Sequence, residues 1–154
     1  MATGDLTVFE EFALELGKET HNFPTGNDTL KFGIIDNTSA PTAADATPAW
    51  TDYSANQIGT GGGYTGPVSL TGVDYTEAAG VATLVANSFT ISQNASGQGS
   101  TTAWGVIYNE TAAADEAIAF VELGTIDITS GDLVVKFNSA ASGSPGTILT
   151  VTVS

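Results

Sequence analysis

From residue 29 onward the chain alternates apolar and polar residues in short runs, each closed by glycine, proline, asparagine or aspartate. Successive side chains of a strand point to opposite faces, so a period of two selects half-buried strands over helices. Leu30–Ile35 reads as the first such strand, ending near Asp36. Val68–Tyr75 and Val81–Val85 are placed to form a hairpin around Glu77-Ala78-Ala79-Gly80, and Ser88–Ser92 continues the pattern. Ala103–Tyr108, Ala117–Leu123 and Leu133–Phe137 carry the strongest strand signal, and Thr147–Val153 alternates cleanly. About eight strands at this spacing predict a mainly β fold, an antiparallel β-sandwich or jelly-roll-like barrel.

One helix precedes them. Thr7 and Glu10 have the spacing of a capping box, and Phe9, Phe12, Ala13 and Leu16 follow at helical intervals. Glu10 and Glu11 would sit at the positive end of the helix dipole and Lys18 at the negative end. The expectation is one short N-terminal α-helix at 7–18, packed on a sandwich formed by residues 29–154. With 154 residues and no internal repeat, the whole chain, 1–154, is read as a single β-rich domain. Phe32, Trp104, Ile107, Phe120, Val121 and Phe137 lie in the strand-like runs and are expected to share one core.

Charge narrows the function classes. Seventeen acids face three lysines and no arginine, for a net charge of −14. Nucleic acids and anionic membranes are held by Lys and Arg, so neither is an expected partner. The first residues lack the basic start and apolar stretch of a signal peptide, which gives the expectation of synthesis in the cytoplasm. The distribution of the charge says more than its total. Residues 53–109 carry only Asp74 and Glu77, and residues 137–154 carry no charge at all. The acids gather in 1–52 and 110–132. Contact cores between proteins are depleted in charge, and lone sheets usually guard their edges with lysine or proline. The middle region therefore reads either as an ordinary hydroxyl-faced sheet or as a subunit contact. Tyr53, Tyr64, Thr65 and Ser69 are the candidate interface residues within it.

Motifs for chemistry are weak. Gly61-Gly62-Gly63-Tyr64-Thr65-Gly66 matches G-x-G-x-x-G by letters, but Pro67 and a strand follow where a phosphate-binding helix is needed. It reads as a flexible loop. His21 is the single histidine, lies in the polar connection Glu19-Thr20-His21-Asn22, and reads as a solvent-facing residue. Without cysteine or further histidine a zinc site cannot be built. Asp127-Ile-Thr-Ser-Gly-Asp132 lacks the ligand spacing of a calcium loop and reads as a β-turn. Four Asn-x-Ser/Thr sequons, at Asn27, Asn37, Asn94 and Asn109, follow from the abundance of Ser and Thr. No catalytic, cofactor-binding or metal residue is assigned, and the chain is read as a non-enzyme.

The order of elements resembles a group of small structural proteins of tailed bacteriophages. The resemblance runs through Leu6-Thr7-Val8-Phe9-Glu10-Glu11-Phe12, Thr29–Ile35, the Gly-Gly-Tyr-Thr-Gly segment at 62–66, and Trp104–Asn109. It continues through Ala117–Gly124 and Gly131–Asn138, and so spans nearly the whole chain through structural motifs. The loop at 36–52 and the turn Gly143-Ser144-Pro145-Gly146 are longer than the pattern. What the resemblance implies is a virion component, a capsid decoration or cement protein on the capsid exterior. Its partners would be the major capsid protein and further copies of itself, as a homotrimer. A tail-associated receptor- or glycan-binding module is the competing expectation, with Trp50, Tyr53, Tyr64 and Trp104 as the aromatics that would hold sugar.

Overall fold

A computed structural model describes residues 4–24, 27–61, 63–138 and 141–152. The chain is mainly β, with antiparallel sheets and few helices. Strands β1 (Leu6–Val8), β2 (Leu30–Asp36), β3 (Val68–Ser69), β4 (Asp74–Ala78), β5 (Val81–Asn87) and β6 (Phe89–Ile91) fill the first part. Strands β7 (Thr101–Asn109), β8 (Ala117–Ile126), β9 (Leu133–Val135) and β10 (Pro145–Thr152) complete the set. A five-stranded sheet runs β1-β8-β7-β2-β3; a three-stranded sheet runs β10-β5-β4; β6 and β9 form a two-stranded ribbon. Helices α1 (Phe12–Gly17) and α2 (Trp50–Tyr53) are short.

The sequence alternation sets the layers. Leu30, Phe32 and Ile34 of β2 point to one face of the large sheet, where they join Leu84 of β5, Ile91 of β6, Val135 of β9 and Leu149 of β10. That face is the interior of the sandwich, and Phe12 of α1 closes one end of it. Ile35 of β2, with Val106 and Tyr108 of β7, points to the opposite face, against Phe9, Trp50 and Tyr53. The single core expected from sequence is therefore two cores, one on each side of the large sheet. Phe32, Ile107, Val121 and Phe137 belong to the first, and Phe120 to the second. Trp104 is only half-buried beside the second, where its indole Nε1–H donates to Asn37 Oδ1 at 2.8 Å.

Two glycines make room for rings. A Cβ on Gly33 would lie 2.2 Å from the Trp50 ring, and one on Gly105 would lie 2.0 Å from the Phe32 ring. Each aromatic occupies the space beside a glycine of the central strands, one on each face of the sheet. Trp50 also stacks on Tyr108, with centroids 5.0 Å apart and planes 3° from parallel. The expected Val68–Tyr75 strand is split, Val68–Ser69 pairing with β2 in the large sheet, and the hairpin is β4–β5, turning at Ala79 and Gly80 with φ of 53° and 81°. Positive φ at both turn residues matches the right-handed twist of the strands they join. The carboxylate of Glu77 accepts the Gly80 N–H across that turn at 2.7 Å.

The N-terminal helix is shorter than its pattern. Leu6–Val8 pairs antiparallel with Val121–Ala119 of β8, and Gly4 N–H extends the pairing to the Glu122 carbonyl at 2.8 Å. The open edge of β8 outweighs the local helical spacing, because it offers these residues strand partners that a helix would forgo. The Thr7–Glu10 capping box is consequently absent, and α1 begins only after Glu11. Phe9 turns to the second core while Phe12 enters the first, so the two rings straddle the sheet.

Candidate functional site

Of the four candidate interface residues, two belong to the interior. Tyr64 is 0% exposed and its hydroxyl accepts the Ile34 N–H at 2.9 Å. Burial pushes that phenol up to about 12. Tyr53 is also buried, and its hydroxyl donates to Asp45 Oδ2 at 2.8 Å. Burial, then the Asp45 carboxylate, raise its pKa. Both rings hold loops onto the sheet and leave no surface for a partner. Within the glycine-rich segment Gly61 bridges to Tyr64, and a Cβ on Gly63 would strike the Ser92 carbonyl at 1.7 Å. Thr65 and Ser69 are exposed, Ser69 on the edge strand β3. With Thr71, Gly72 and Thr76 they make an exposed margin running from β3 to β4, whose sole charge before Glu77 is Asp74. Of the four aromatics that would form a sugar platform, Trp50, Tyr53 and Tyr64 are inside, and Trp104 alone is half-buried.

His21 is not solvent-facing. Its side chain is fully enclosed and clusters with Phe12 at 5.6 Å and Phe23 at 5.1 Å between ring centroids, the two phenylalanines lying 6.1 Å from each other. Nε2 lies 3.0 Å from Glu15 Oε2, and Nδ1 lies 3.1 Å from Asn109 Nδ2. The orientation of the Asn109 amide is set by its other partners, since Nδ2 donates to Asp28 Oδ2 at 2.7 Å and Oδ1 accepts Thr111 N–H. An amide nitrogen only donates, so His21 Nδ1 is the acceptor and Nε2 carries the hydrogen given to Glu15. Desolvation by burial raises the Glu15 carboxyl above its ordinary value, against the bond from His21, with Glu116 and Glu11 adding to the rise. Chemically this is a closed polar lock that joins α1 to the end of β7. Sequence reasoning missed it because Asn109 lies 88 residues from His21. The usable local signal is the alternation of His21 and Phe23 about the exposed Asn22.

A groove of about 770 Å³ lies between the large sheet and the ribbon. One wall is Gly4–Leu6 and Val121–Leu123, the other is Leu133–Asn138. Three charged side chains lie along it: Asp5, Glu122 and Lys136. None forms an ion pair or side-chain hydrogen bond among the described residues. The other lysines are engaged, Lys18 with Glu11 and Lys31 with Glu110. Most other acids are engaged too, with backbone N–H groups at turns: Asp36 with Thr38, Asp45 with Thr42, Asp52 with Ala49, Asp132 with Gln93. Asp127 accepts both the N–H and the hydroxyl of Thr129, which makes Asp127–Asp132 the turn expected from sequence.

Among the described residues no three His, Cys, Asp or Glu side chains gather as a metal site would need. No described helix is long and apolar enough to cross a membrane. No family model, curated protein or solved structure matches the chain.

Proposed function

We propose that the chain is a structural component of a tailed-phage particle, a decoration protein that binds the outside of the head and meets the major capsid protein and its own copies there. The observation that carries this reading is the exposed, hydroxyl-rich margin from β3 to β4 on a molecule of net charge −14. Copies with that charge repel at long range, so a contact between them must be short-range and sparing in charge. The margin has those properties, and it includes the short edge strand β3. The same charge favours the outer side of the shell, since an inner lining would face packaged DNA. The resemblance in element order supports a virion role, and a trimer on the shell is the assembly proposed.

The test is occupancy. Thr65→Asp and Ser69→Glu each place a carboxylate on the margin, where burying an unpaired charge costs several kcal/mol, roughly 3–5. Each variant is incubated with undecorated heads and the bound copies are counted. Loss of occupancy for both, with Ala113→Asp in the acidic stretch binding as wild type, is the expected result. Equal occupancy for all three refutes the placement. A handful of copies per purified virion, in place of hundreds, refutes the decoration role itself.

A further inference from the structure

The groove touches consecutive residues on both walls, 121–123 of β8 on one and 133–138 through and beyond β9 on the other. β8 is flanked by β1 and β7, so on that wall the groove lies against paired strands, whereas on the other wall it runs along β9. Among the described residues β9 is hydrogen-bonded to β6 alone, which leaves its other edge without a strand partner there. The groove wall beside that edge offers apolar side chains: Leu6 and Leu123 from the large sheet and Val134, 43% exposed, from β9 itself. An open edge beside an apolar trough is the arrangement by which sheets take up an extended peptide.

The charges say what kind of peptide. Asp5 and Glu122 stand on the large-sheet wall and Lys136 on the β9 wall. They lack partners among the described residues, while the other two lysines and most acids have them. We propose that this groove takes an extended segment of a different protein, added as a strand to the free edge of β9. The segment alternates apolar and small polar residues. It carries a basic side chain toward Asp5 and Glu122 and an acidic one toward Lys136. A second copy of this chain is a poor occupant, because 3 lysines against 17 acids leave it few cations to offer the acidic wall. The proposal is independent of the virion reading and of the β3–β4 margin.

The probe is a synthetic, end-blocked peptide that alternates valine and threonine and has a lysine near one end and a glutamate near the other. Two controls accompany it, one with both charged residues replaced by serine and one with N-methylated central residues that cannot pair as a strand. Binding is followed by amide chemical shifts and amide exchange of the protein. The expected result is shifts confined to residues 4–6, 121–123 and 133–138, with slowed exchange in β9. The uncharged and N-methylated peptides should bind about ten-fold more weakly, or worse, as lost charge complementarity and lost backbone bonds require. The double variant Asp5→Lys/Glu122→Lys should lose binding, whereas Glu77→Lys on the β4–β5 hairpin should not. Four results overturn the proposal: no shifts up to about 1 mM peptide, equal affinity for the N-methylated peptide, binding indifferent to Asp5 and Glu122, or shifts on the β3–β4 margin instead. Self-association abolished by the Asp5/Glu122 variant also overturns it, in favour of a second copy as occupant.

Discussion

The ring of Trp50 over Gly33 gives the fold a quantitative test. Replacing Gly33 by Ala puts a methyl 2.2–2.9 Å from three atoms of the indole. Ordinary carbon contacts start near 3.5 Å, so the ring must retreat by about 1 Å. That retreat breaks the parallel stack on Tyr108, and the backbone cannot yield because β2 is paired with β7 along its length. Overpacking of this kind costs about 1–3 kcal/mol. At roughly 2–4 °C per kcal/mol for a chain of this size, Gly33→Ala should lower Tm by about 2–12 °C. In the Trp50→Leu background the obstruction is gone. There the same change should be neutral or gain about 0.5–1 kcal/mol, because alanine suits a strand interior better than glycine does. Urea unfolding of the four proteins gives the coupling directly, with an expected magnitude of about 2 kcal/mol. An equal loss from Gly33→Ala in both backgrounds would show that the ring does not occupy the glycine's space.

Three further outcomes follow from the carboxylates. Glu15 has a raised pKa, so between its ordinary value of 4.5 and its folded value the folded chain binds more protons than the unfolded chain, and stability falls as pH rises. Glu15→Gln removes that titration and keeps an acceptor for His21; its urea midpoint should gain on wild type from pH 4.5 toward neutrality, and a constant difference would contradict this. Asp127 behaves oppositely: the Thr129 hydroxyl, then Ser130, hold its pKa below 3.8, so its contribution is present above that value and is lost as pH falls through the folded pKa. The advantage of wild type over Asp127→Asn at neutral pH should vanish in acid-unfolding curves below it. Asn109→Asp removes the donor to His21 and sets a second carboxylate beside Asp28 in an enclosed site. Its cost at neutral pH should be about 3–5 kcal/mol, read from thermal melts, and a loss under 1 kcal/mol would deny that the cluster is closed.

The strands were legible because alternation is local. Leu30–Ile35 and Thr147–Val153 each show both faces within one run, and the structure has β2 there and β10 through Thr152, Val153 lying outside the described residues. What was not legible depends on partners distant in sequence. Leu6-Thr7-Val8 contains a helical start by its own pattern, and only the edge of β8, more than a hundred residues later, makes it a strand. His21 in a polar segment gives no sign of burial until Phe12, Phe23 and Asn109 converge on it. Tyr53 and Tyr64 illustrate the opposite error. Tyrosine in a loop suggests a contact surface, yet a phenol with one internal hydrogen bond is also the natural anchor for a loop on a sheet. The groove has no sequence signature, because its walls come from segments 4–6 and 133–138 at opposite ends of the chain.

Seventeen acids with three lysines require another source of pairing, and the backbone provides it. Carboxylates at Asp36, Asp45, Asp52, Glu77, Asp127 and Asp132 accept N–H groups at turns, where no sheet neighbour is available. These bonds fix the loops without neutralising the molecule, so its net charge still faces any partner. The two open margins of the sandwich should then respond to salt in opposite ways. Contact between copies through the uncharged β3–β4 margin works against mutual repulsion, and screening weakens that repulsion. A segment held in the β9 groove relies on attraction to Asp5, Glu122 and Lys136, and screening weakens that as well. Raising ionic strength from about 0.02 M to about 0.5 M shortens the screening length from roughly 20 Å to roughly 4 Å, below the spacing of most surface charges. Self-association measured by sedimentation should strengthen over that range, while peptide affinity measured by shift titration should fall. If both moved in the same direction, one surface would be serving both contacts, and assigning copies to one margin and a foreign strand to the other would be wrong.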